Sequence, residues 1–172
     1  MMTRQHYRTL QNLLLTISLF VLGLTFYFQY LKDQQPCTLC MMQRYAALSF
    51  AFFCVFGQLL TTLKRVRFAM VFQIGFALAG LFFASRQMWL QYFVNGHPHA
   101  CLPDMKVLIH YFPWQDVFTA LFWGAGDCSD TTWKLFGLPM SVWAAFYFLF
   151  MVLMSAYLYW RLVRSLDEFS SK

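Results

Sequence analysis

Four stretches of this chain, residues 9–31, 45–63, 68–85 and 135–160, contain no Asp, Glu, Lys or Arg. Each comes close to the roughly 20 apolar residues a helix needs to cross a bilayer core. Backbone in lipid must satisfy its own hydrogen bonds, and for segments of this length that means helices. The fold class is therefore predicted as an all-α membrane protein, a bundle of four transmembrane helices at about 10–31, 45–63, 68–88 and 139–160, forming one domain over residues 1–172. The composition agrees: 60% of residues are hydrophobic and 12% charged, against about 45–50% and about 25% in typical soluble chains. The first apolar run is too long for a cleaved signal peptide, ends in aromatics (Phe26, Tyr27, Phe28, Tyr30) and is followed by no small-x-small cleavage site, so it reads as a retained helix.

A formal charge of +6 raises the possibility of a nucleic-acid ligand. The basic residues, however, gather at segment ends rather than along one face, which is a topology signal, and nucleic acid is excluded as a partner. Arg4, Arg8, Lys64, Arg65, Arg67, Arg161, Arg164 and Lys172 belong to the N-terminus, the second connection and the tail. The other side carries fewer basic residues over far more chain, together with five aspartates. Both termini are accordingly expected in the cytoplasm. Loops at about 32–44 and 92–137 then face outward, the longer one carrying short interfacial helices near 105–111 and 117–123.

The outward loops hold Cys37, Cys40, Cys101 and Cys128, while Cys54 falls within a helix and reads as a small buried hydrophobe. On that side of the membrane disulfides persist. Cys37-Thr38-Leu39-Cys40 is ambiguous by itself, since two thiols at this spacing can close a disulfide or contribute to a metal site. The second pair has 26 residues between its members and no histidine at finger spacing, which disfavours zinc. Purely structural disulfides and a working relay remain. A relay needs an accessible thiolate, a resolving thiol and a disulfide that accepts electrons, and two pairs on one face supply these parts. Spacing does not choose among the three possible pairings of four cysteines.

Cys40 and Arg44 are four apart, so on a helix they share a face at its N-terminus, where both the dipole and the guanidinium favour an anion. Arg44 could equally be an interfacial anchor. In the relay reading it stabilises the Cys40 thiolate and donates to the oxygen of a bilayer-dissolved quinone. Arg86, at the outer end of the third helix, adds charge to the same pocket or anchors the helix end.

Taken in order, Pro36-Cys37-x-x-Cys40 with Arg44, Arg86 with Trp89-Leu90-Gln91, Cys101, Phe112-Pro113, Gly124-x-Gly126-Asp127-Cys128, Trp133, Phe136-Gly137-Leu138 and Trp143 make the chain resemble the DsbB family of bacterial inner-membrane disulfide-forming enzymes over nearly its whole length. The resemblance implies a thiol oxidase that reoxidises a periplasmic thioredoxin-like partner of the DsbA type and passes the electrons to ubiquinone or menaquinone. By motif position, Cys101 accepts attack from the partner's thiolate with Cys128 as its pair, Cys37 exchanges with that pair, and Cys40 faces the quinone beside Arg44. No metal is implied. The chain departs from the family pattern at Gln87, where many relatives place a histidine, at Gln43, where an acid is common, and at Pro139, which stands earlier than the usual proline. These departures bear on quinone affinity and leave room for a paralogue with a specialised partner.

Overall fold

The computed structural model describes residues 4–32, 38–60, 62–93, 113–115, 134–135 and 137–170. Four helices dominate: α1 (Arg4–Lys32), α2 (Thr38–Leu59), α3 (Leu63–Phe93) and α4 (Met140–Ser170). Each contains a segment long and apolar enough to cross a membrane, at Gln5–Phe28, Leu39–Leu59, Arg65–Phe93 and Met140–Arg164. At 31 residues, α3 is about 46 Å long, well beyond a ~30 Å hydrocarbon core. The all-α reading of the spans therefore holds. The expected loop helices near 105–111 and 117–123 lie outside the described residues.

Short connections force antiparallel neighbours. α3 begins four residues after α2 ends, and the Thr62 carbonyl accepts the N–H of Val66 at 3.0 Å, the first hydrogen bond of α3. Ahead of α4 stands a feature not anticipated from the sequence, a two-stranded hairpin. β1 (Lys134–Leu135) pairs antiparallel with β2 (Leu138–Pro139), with Lys134 opposite Pro139 and Leu135 opposite Leu138. Gly137 makes the turn possible by adopting φ +80°, a region that costs other residues a Cβ clash.

Three buried clusters run along the bundle. At one end Tyr7, Val66 and Leu162 belong to a cluster that continues through Leu14, Phe50, Cys54, Met70 and Met151. The middle cluster joins Leu22, Ala46, Ala47, Ala84 and Phe148. At the far end Leu39 packs on Phe83, with Met42 and Leu90 beside them. Small residues let the backbones approach, as is usual where helices meet in lipid. Gly80 is the clearest case, because a Cβ there would overlap the Phe148 ring of α4. On the other side of α3, Phe53 of α2 stacks on Phe72 and Phe76, with ring centroids 5.3 and 5.5 Å apart.

This antiparallel order sorts the charges. Arg8, Arg65, Arg67, Arg161 and Arg164 fall at the Tyr7 end of the bundle, whereas Cys40, Arg44 and Arg86 fall at the Leu39 end. Large side chains such as Phe20, Phe52, Phe82 and Leu153 are exposed around the perimeter. A soluble protein does not cover itself in such groups. A bundle solvated by hydrocarbon does.

Candidate functional site

Polar atoms buried among apolar helices need partners from neighbouring segments. At the Leu39 end they converge on Cys40. This residue is the third of α2 and is half-buried. Across the α2–α3 interface, Gln87 donates from Nε2 to Cys40 Sγ at 3.2 Å, and the thiol can donate back to Gln87 Oε1 at 3.6 Å. Gln43, one turn of α2 inward, donates from Nε2 to the same Gln87 Oε1 at 2.8 Å. Gln43 and Gln87 are both buried, 9% and 6% exposed. The amide of Gln87 is thus held by its oxygen with its nitrogen turned toward sulfur.

One turn further along α3, buried Gln91 accepts a hydrogen bond at Oε1 from Ser141 Oγ in the first turn of α4. The i, i+4 spacing of Gln87 and Gln91 puts both on the inward face of α3, where one reaches α2 and the other α4.

Arg44 follows Cys40 by one turn and is also half-buried. Its Nη2 donates to the Thr25 carbonyl of α1 at 3.3 Å, and its guanidinium carbon stands 5.5 Å from the centre of the Phe26 ring. The arginine therefore bridges α2 to α1 and places a delocalised cation against an aromatic face. Arg86 lies at the same end, half-buried, immediately before Gln87 on α3. Of the residues singled out from the sequence, Cys40, Arg44 and Arg86 are thus gathered at one end of the bundle. Cys37, Cys101 and Cys128 lie outside the described residues. Cys54 is fully buried in the cluster of Phe50, Met70 and Met151.

Gln43 and Gln87 entered the sequence reading only as departures from a pattern, and Thr25 and Ser141 did not enter at all. A usable signal was present. Glutamine inside an apolar span is expensive unless it finds a partner, so each one marks a place where helices exchange hydrogen bonds.

The family model described as disulfide bond formation protein DsbB matches residues 7–158. A disulfide bond formation protein B from Hahella chejuensis is 33% identical over 125 residues, covering 72% of this chain and 75% of the relative. One from Aromatoleum aromaticum is 34% identical with the same coverage. Another, from Acinetobacter baumannii, is 26% identical over 170 residues, 98% of both chains.

Proposed function

The chain belongs to the DsbB family of disulfide bond formation proteins, multi-pass membrane oxidoreductases, and on that footing we propose that it oxidises a periplasmic thioredoxin-like dithiol protein of the DsbA type and delivers the electrons to a membrane quinone, ubiquinone or menaquinone. A thiolate of the partner attacks a disulfide formed by Cys101 and Cys128. The partner's second thiolate resolves the mixed disulfide, leaving the partner oxidised and the loop pair reduced. The loop pair reduces a Cys37–Cys40 disulfide in the same way, so one electron pair moves inward at each exchange. A quinone, when bound, supplies the terminal two-electron acceptor that protein disulfides lack.

The observation that carries this reading is the seating of Cys40. A half-buried sulfur in the first turn of a membrane helix receives an amide N–H at 3.2 Å, with a guanidinium one turn away. Those residues fit a quinone in chemistry as well. A flat apolar ring with carbonyl oxygens needs hydrogen-bond donors beside aromatic surface, and Arg44 next to Phe26 offers both. The charge order supports an outward-facing site: the Tyr7 end holds Arg8, Arg65, Arg67, Arg161 and Arg164, so it takes the cytoplasmic side, with both termini, at the bacterial inner membrane.

The test is reconstitution. Purified protein, a reduced thioredoxin-like oxidase and ubiquinone are mixed, and quinone absorbance is followed. Loss of absorbance that depends on both the oxidase and the cysteines is the expected result. Absence of quinone consumption, together with failure to trap a mixed disulfide at Cys101, would leave the loop cysteines a structural role only.

A further inference from the structure

A redox-active sulfur changes what it asks of its neighbours. As a thiol it has a proton to donate; as a thiolate it needs donors. Most side chains serve one of these states. A carboxamide serves both, because it carries an acceptor and a donor on one rigid, uncharged plane. At Cys40 both halves of such a group are in place, with Gln87 Nε2 at 3.2 Å and Gln87 Oε1 at 3.6 Å from the sulfur.

An amide plane can also turn over and exchange its ends. Here Gln87 can turn only if Gln43 turns with it. Gln43 donates into Gln87 Oε1 at 2.8 Å, and a reversed Gln87 would set two NH2 groups against each other. Both glutamines are almost completely buried, so little water competes for the amide atoms. The arrangement spans α2 and α3, and the two amides that face the sulfur do not titrate.

We propose that Gln87, oriented by Gln43, is a positioning residue that keeps an N–H aimed at the Cys40 sulfur and so stabilises its thiolate without a change of charge. This deepens the redox role proposed for Cys40 and rests on it for its purpose, but the tuning of the sulfur itself needs neither quinone nor partner. Gln43 acts through Gln87 rather than on sulfur directly.

The experiment measures Cys40 alone. In the full-length protein with Cys37, Cys101 and Cys128 replaced by Ser, Cys40 is the remaining thiol outside the core, and its alkylation by iodoacetamide is timed by peptide mass. Gln87→Leu is expected to slow alkylation about tenfold, the scale of one hydrogen bond to a charged atom. Gln43→Leu slows it less, by about threefold, because it frees the amide to turn without removing it. Added to Gln87→Leu, it changes nothing more. Gln87→Met preserves length and packing but has no N–H, and it should match Gln87→Leu. A Gln87→Leu rate equal to or above the parent's overturns the proposal. So does recovery of the parent rate in Gln87→Met, which would assign the effect to packing, or independent multiplication of the two Leu effects. With no quinone or oxidase in the assay, failure here is separable from failure of the reconstitution.

Discussion

Gln11 of α1 and Gln73 of α3 face each other with their amides exchanging hydrogen bonds in both directions, at 3.2 and 3.4 Å, and neither side chain is exposed at all. The pair is extended on both sides. Gln11 also donates to Tyr7 Oη at 3.1 Å, and Gln73 donates to Ser155 Oγ of α4 at 3.1 Å. Three helices are tied by one polar knot at the end of the bundle opposite Cys40. Nearby, Ser18 of α1 and Tyr147 of α4 share a further hydrogen bond at 2.7 Å.

Breaking that knot on one side should destabilise the bundle while sparing its redox chemistry. Gln73→Leu strips partners from both Gln11 and Ser155, at a cost of about 1–2 kcal/mol given how such bonds perform in membranes. The double variant Gln11→Leu with Gln73→Leu should recover part of the loss, since it leaves fewer polar atoms stranded. Detergent-denaturation midpoints followed by circular dichroism decide it. A double variant worse than the sum of its parts would contradict the account.

Gly80 allows α3 to close on α4 at Phe148. Gly80→Ala is expected to cost about 1–3 kcal/mol through displacement of that ring, even though alanine is the better helix former. Phe148→Leu in the same chain should relieve much of the penalty. If Gly80→Ala is neutral or stabilising in the denaturation assay, the two helices have more slack than their packing indicates.

Arg44→Ala should chiefly raise the quinone concentration required and lower turnover by about tenfold or more, as loss of a charge-assisted donor does. Exchange between the partner and the loop pair should continue, read as mixed-disulfide formation at Cys101. Arg44→Lys is expected to rescue poorly, because an ammonium cannot reproduce a planar donor fork lying beside Phe26 and reaching Thr25. Equal loss of both activities would instead mark the arginine as a fastening between α1 and α2.

Cys54→Ala should leave turnover unchanged. Its sulfur is fully buried among Phe50, Met70 and Met151, far down α2 from Cys40. The cost is one of packing, about 1 kcal/mol for the small void. Oxygen- or quinone-driven turnover that vanishes in this variant, with the fold intact by circular dichroism, would place Cys54 on the electron path.

Hydropathy and charge order are properties of the chain read end to end, and they were sufficient for the four spans and for the grouping of Arg8, Arg65, Arg67, Arg161 and Arg164 at one end. They also brought out Cys40 and Arg44 as one helix face. Which face of each helix looks inward was another matter. On α3 the buried stripe contains Gln73, Ala77, Gly80, Ala84, Gln87 and Gln91, while Phe68, Phe72, Phe82 and Trp89 point out. Around a bundle in lipid the solvent is itself apolar, so hydrophobicity ceases to mark the interior; small size and the need for polar partners mark it instead. Gln43 and Gln87 stand 44 residues apart, and nothing local to either predicts the other. Only the docking of α2 on α3 brings them together and turns their shared hydrogen bond toward the sulfur of Cys40.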